Sequence, residues 1–131
     1  MNIAKDYLSQ TYTAQGKIMC YDLMIESMQN DISLFSNDSV IIQRLKDELS
    51  EYEAQKRYWI NKKAEIKQFL LNLNIRENIK QVLILRFVEL KKRREISSIL
   101  HYSLSYIDRL LKQGLFFIDE KLKSSSQKVV I

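Results

Sequence analysis

Ala4, Tyr7, Thr11, Ala14, Ile18, Tyr21, Ile25, Met28, Ile32 and Phe35 follow one another at alternating intervals of three and four residues. A 3.5-residue period holds one narrow stripe on a single helix face and asks for a partner helix to cover it. A second stripe of the same period runs through Ile42, Leu45, Leu49, Tyr52, Lys56, Trp59, Lys63, Ile66, Leu70 and Leu73. Between them stands Ser36-Asn37-Asp38-Ser39, four residues whose side chains bond nearby backbone and favour helix ends over helix interiors. Two long helices joined by so short a polar turn are expected to fold back as an antiparallel hairpin, each stripe covering the other.

Punctuation supports long helices. Proline is absent and the only glycines are Gly16 and Gly114, which removes most of what hairpin turns and barrels require. Gly16 lies within the first stripe, where it costs about 1 kcal/mol relative to alanine and can bend the helix. Lys56 and Lys63 interrupt the second stripe. Two uses fit them: stems packed in the seam with the charges led outward, or a functional role in specifying register or touching DNA phosphates. Trp59 and Tyr58 read as packing groups rather than as a platform for bases.

Beyond a joint at Asn72 to Asn74, the spacing predicts a third helix over Ile75 to Leu90, burying Ile79, Val82, Leu83, Phe87 and Leu90. The basic run Lys91-Lys92-Arg93-Arg94 follows. Two shorter helices are then predicted, Glu95 to Leu100 and Leu104 to about Leu122, separated by His101-Tyr102-Ser103. Ser124 to Lys128 reads as a frayed tail. The expected fold is all-α: a helical hairpin or coiled-coil arm over residues 1–73, a helix-turn-helix over 74–123 and a tail over 124–131.

Charge separates the two parts. The chain carries a formal +5 over 131 residues. Residues 1–74 hold nine Lys/Arg against ten Asp/Glu, and residues 75–131 hold twelve against six. An excess of base confined to one part points to a polyanion, with double-stranded DNA as the default partner.

Two short helices joined by a three-residue turn, behind a supporting helix, form the outline of a helix-turn-helix. Residue types give it substance. Ile96, Ile99 and Leu100 can bury the first short helix, Ser97 is small where the helices cross, Ser103 can cap the second helix, and Ile107, Leu110 and Leu111 can anchor its inner face. Leu104, Ser105, Tyr106, Asp108, Arg109 and Lys112 are left facing outward. Arg109 suits guanine O6 and N7, Ser105 a base edge, and Leu104 a thymine methyl, with Tyr106 and Asp108 on the same base-facing set. Ser103, Lys112 and Lys91, Lys92, Arg93 and Arg94 suit phosphates, which position a protein on DNA without reading sequence. Asp108 opposes DNA by its charge unless it accepts from cytosine or pairs with Arg109 or Lys112.

The run from Val82 through Arg86-Phe87 to Leu90, followed by Arg94-Glu95-Ile96-Ser97-Ser98-Ile99-Leu100-His101-Tyr102-Ser103 and Tyr106-Ile107-Asp108-Arg109-Leu110, resembles region 4 of the sigma factors. With Ala4-Lys5-Asp6-Tyr7-Leu8 and the long paired stripes, the chain looks still more like the phage late transcriptional regulators of the ArpU and RinA type. The resemblance implies a regulator of a phage or mobile element that binds a promoter region and activates late genes; RNA polymerase is a further candidate partner, though the sequence itself carries no mark of that contact. The chain departs from the sigma pattern at His101, where a turn glycine is usual, at Ser97, which replaces alanine, and at Leu104-Ser105, which replace a more polar helix opening.

Other classes fit poorly. Cys20 and His101 are the sole residues of their kinds, and no glycine-rich phosphate loop is present, so neither catalysis nor a metal or other cofactor is expected. The carboxylate pairs Asp47-Glu48 and Asp119-Glu120 read as solvated. With a lone cysteine and neither a leader pattern nor a membrane span, a cytoplasmic chain is expected. The competing function is a helical interaction protein that binds and modulates a host protein and uses the helix-turn-helix for packing or dimerisation. A homodimer is expected through Leu8, Met19, Leu23, Met24 and Ile41, or through Leu115, Phe116, Phe117 and Ile118.

Overall fold

The computed structural model describes residues 3–35 and 37–130, with side-chain detail through Ser124. Among these residues the chain is all-α. Its five helices are α1 (Ile3–Leu34), α2 (Ser39–Leu71), α3 (Glu77–Phe87), α4 (Arg93–Leu100) and α5 (Leu104–Val130). No helix among the described residues is long and apolar enough to cross a membrane.

The chain forms two compact units, residues 13–64 and residues 1–12 with 65–131. In the first unit the expected stripes are the covered positions. Ala14 and Met28 are buried, and Ile18, Tyr21, Ile25, Ile42, Leu45, Leu49, Tyr52 and Trp59 are half-buried. Phe35, at the end of its stripe, is exposed instead, because α1 stops one residue before it. Lys56 forms an ion pair with Asp22, and Lys63 Nζ donates to Gln15 Oε1 at 2.8 Å. Both seam lysines are therefore committed to acceptors on α1, with their stems packed.

The turn before α2 is capped by Asp38, whose Oδ1 accepts the Val40 and Ile41 N–H groups at 3.1 Å each. Ser36, part of the expected turn, lies outside the described residues. α1 runs through Gly16 as one helix. Tyr58 is exposed, with its ring centroid 5.1 Å from that of the half-buried Trp59.

The second unit holds the main core. Ala4, Leu8, Ile66, Leu70, Leu73, Ile79, Val82, Leu83, Phe87, Ile96, Ile107, Leu110 and Ile118 are all buried in one cluster. Complete burial of a Leu or Ile side chain stabilises by about 1.5–3 kcal/mol, so this cluster is the main source of the unit's stability. Leu8 and Ile118, expected on exposed dimer surfaces, belong to the core. Leu8 stands one position after Tyr7, and the added helices of this unit cover a wider stripe than a two-helix seam would. Asp119 is likewise half-buried rather than solvated, and its Oδ1 accepts the Ala4 N–H at 2.6 Å. A carboxylate at the first turn of α1 satisfies a backbone donor that the helix cannot, and it complements the helix dipole.

α3 starts later and stops earlier than its periodicity predicts. It ends at Phe87, where the Val88 N–H still bonds Ile84 O at 2.9 Å. Leu90 then takes the left-handed conformation at φ 57°, half-buried outside any helix. The turn is held by Lys91 N–H to Leu85 O at 2.9 Å and by Arg86 Nη1 to Lys91 O at 3.2 Å. α5 continues past Leu122 to Val130 instead of ending in a frayed tail. Serines in that run lower helix propensity by only a few tenths of a kcal/mol each, and neither glycine nor proline stops it.

Gly114 fixes how α5 crosses α3. A Cβ there would stand 2.9 Å from Leu83 Cδ1 and 3.0 Å from Ile79 Cγ2.

Candidate nucleic-acid interface

α4 opens two residues earlier than expected, so Arg93 and Arg94 occupy its first turn rather than a loop. Its N-terminus is closed by Glu95, whose Oε1 accepts the Lys92 N–H at 3.2 Å. The same carboxylate complements the positive end of the helix. Lys92, Arg93 and Arg94 are exposed, whereas Lys91 is half-buried. Only Ile96 on this helix is fully buried. Leu100 is half-buried, and Ile99, expected to be buried, is 49% exposed because α4 packs on one narrow side.

His101 ends α4 in the left-handed conformation, φ 59° and ψ 39°, with its N–H bonded to Ser97 O. That is the backbone geometry for which glycine is usual. Ser97 also holds this turn: its Oγ donates to Tyr102 O at 2.5 Å. Ser103 caps α5 as expected, its Oγ accepting the Tyr106 N–H at 3.2 Å and its carbonyl the Ile107 N–H at 3.0 Å. A capping serine of this kind contributes about 1 kcal/mol.

On α5, Ile107 and Leu110 are buried and Leu111 is half-buried. At 100° per residue, Leu104, Ser105, Asp108, Arg109 and Lys112 share an arc of about 140° on the opposite side. All five are exposed. Tyr106 lies outside this arc and is not free to face outward. It is half-buried, its ring meets Tyr102 edge-on with centroids 4.9 Å apart, and its hydroxyl accepts from Asn78 Nδ2 at 3.0 Å. These interactions tie the connection to α3.

Asp108 pairs with neither Arg109 nor Lys112 but with Arg93 on α4. Nε and Nη2 of the guanidinium donate to Oδ1 and Oδ2 at 2.6 Å each. A planar fork meeting both carboxylate oxygens fixes orientation as well as distance. The pair brings the cationic first turn of α4 against the exposed face of α5 and occupies part of Arg93's donor set. Arg109, Lys112, Lys92 and Arg94 carry no hydrogen bond or ion pair through their side chains among the described residues. Arg93 and Asp108 stand on different helices, 15 positions apart. Helix periodicity relates residues three or four positions apart, so it leaves no mark of such a pairing.

Comparison of the chain with protein-family models, curated proteins and solved structures finds no match.

Proposed function

We propose that the chain is a sequence-specific, DNA-binding regulator of transcription in which α4 and α5 form a helix-turn-helix and α5 is the recognition helix. The observation that carries this reading is the Arg93–Asp108 clasp, which brings the exposed cations Lys92 and Arg94 beside the face that bears Arg109 and Lys112. Leu104, Ser105 and Arg109 meet base edges in the major groove, with Arg109 bidentate to guanine. Lys92, Arg94, Ser103 and Lys112 meet phosphates. Arg93 and Lys91 contribute less to this phosphate set, the first because Asp108 shares it and the second because it is half-buried. Asp108 is taken up by Arg93 and does not read a base.

Residues 13–64 act as an antiparallel coiled-coil arm, a role supported by the 15-to-63 and 22-to-56 pairings. The resemblance to sigma region 4 and to the ArpU and RinA type supports a regulator that binds promoters of a phage or mobile element and activates late genes; in this reading the chain works in the cytoplasm, contacts RNA polymerase and pairs as a homodimer through exposed Met19, Leu23 and Ile41. Selection of bound duplexes from a random pool tests the DNA reading. Enrichment of a motif by the native chain, absent with Arg109→Ala, supports it.

A second reading, a helical protein that binds a host protein, is favoured by Leu23, Leu34 and Val40. These are 69%, 77% and 73% exposed within residues 13–64. No enriched motif in the selection moves the assignment to this reading.

A further inference from the structure

A cleft of about 330 Å³ opens among α1, α3, α4 and α5 within the second unit, lined by Lys5, Ser9, Tyr12, Arg86, Phe87 and Arg93 among others. It stands at the lower end of the roughly 300–1,000 Å³ range of small-molecule sites. Three cations reach it from three different helices, and among the described residues no carboxylate lines it. A solvated basic face would place its charges along one helix, whereas here the fold gathers them around one apolar-floored space.

Each cation keeps capacity to bind. Arg86 uses Nη1 for the Lys91 carbonyl, and Arg93 uses Nε and one Nη2 hydrogen for Asp108. A guanidinium has five N–H donors, so both arginines have donors to spare. Lys5 is exposed and makes no ion pair among the described residues. The Tyr12 hydroxyl is directed to the Arg86 carbonyl at 3.4 Å, which keeps that ring beside the cleft.

We infer that this cleft binds a phosphate group, with Arg86, Arg93 and Lys5 as its cationic ligands and Ser9 as a hydroxyl donor. Two guanidinium forks and an ammonium offer more donors than one carboxylate can accept, and they match the tetrahedral oxygens of a phosphate group. Tyr12 and Phe87 offer apolar surface to whatever the phosphate is attached to. The phosphate belongs either to a free ester or to a DNA backbone. Phosphate binding here does not depend on the proposed recognition role of α5.

Calorimetric titration of the full chain with AMP and with inorganic phosphate at low ionic strength tests it. One AMP per chain is expected to bind, to be displaced by inorganic phosphate, and to bind about tenfold more weakly to Lys5→Gln and to Arg86→Gln. Lys46→Gln, which removes an exposed charge from α2, is expected to leave binding unchanged. A short duplex that displaces AMP assigns the site to backbone phosphate, and one that binds alongside AMP assigns it to a free ester. AMP binding that needs Lys5 in a chain that binds no duplex upholds the cleft and removes the DNA proposal. The inference is overturned if neither AMP nor phosphate binds and Lys5→Gln leaves duplex affinity unchanged. It is equally overturned if AMP binds the native chain and Lys5→Gln alike.

Discussion

Arg93 on α4 and Asp108 on α5 are joined by two parallel hydrogen bonds of 2.6 Å, and both side chains remain about half exposed. An ion pair so open to water contributes little to stability, roughly 0–1 kcal/mol. Its consequence is electrostatic: it offsets the carboxylate that Asp108 puts on the face proposed to meet DNA, and it holds the cations of α4 close to that face.

Asp108→Asn is therefore expected to change stability by no more than about 1 kcal/mol. Duplex binding should tighten several-fold, alike for all sequences, because a freed Arg93 can reach a phosphate and a repulsive charge is removed. Fluorescence anisotropy with matched and scrambled duplexes checks this. Weaker binding would show that the clasp is needed to orient Arg93.

The connection between α4 and α5 makes opposite demands at two positions. His101 occupies a left-handed conformation that costs a non-glycine residue about 1 kcal/mol. His101→Gly should raise stability by up to that amount, and Ser103→Ala should lower it by about 1 kcal/mol through removal of the α5 cap. Urea denaturation of the two variants should show changes of opposite sign.

The two glycines should also respond oppositely to alanine. Gly114→Ala sets a methyl group 2.9 Å from Leu83 Cδ1 and is expected to cost about 1–3 kcal/mol. Gly16 has nothing within 4 Å of where a Cβ would stand and lies in a continuous helix, so Gly16→Ala should stabilise by about 0.5–1 kcal/mol. Thermal melts that move in the same direction for both would contradict this packing.

Burial, and then the negative charge of Glu65, hold the Tyr7 hydroxyl above its ordinary value of 10.0. The native chain thus binds that proton more tightly than the unfolded chain. The resulting stabilisation is fully present below pH about 10 and is lost as pH rises through the raised native value. Tyr7→Phe should lose less stability than the native chain when urea denaturation is repeated from pH about 9 to pH about 11. Equal losses would show that this ionisation is not linked to folding.

Local patterns carried much of the fold. The seam positions Ile66, Leu70 and Leu73 are buried and Ser103 caps α5, because periodicity and capping act over only a few residues. What escaped the pattern depended on distant partners. Leu8 is buried by helices that lie far from it in sequence, and Gly114 matters only because α3 crosses it. Phe87 ends α3 through a turn that uses a left-handed leucine, a conformation that leucine does not advertise. In the candidate site, exposure of Leu104, Ser105, Arg109 and Lys112 followed from helical spacing. The clasp of Arg93 to Asp108 and the anchoring of Tyr106 to Asn78 followed from tertiary packing alone.

We propose a division of labour in which α5 reads DNA sequence while the first turn of α4 holds the backbone. It is tested most directly by salt-titrated binding of an enriched duplex and a scrambled one to the native chain, to Arg109→Ala and to the double variant Lys92→Ala with Arg94→Ala. The double variant should weaken both duplexes equally and lower the slope of log affinity against log salt by about 0.9 for each phosphate no longer neutralised. Arg109→Ala should instead erase the preference for the enriched duplex, a drop of about 1–3 kcal/mol in discrimination. A native chain with no preference between the duplexes, or a preference that survives Arg109→Ala, would contradict the claim.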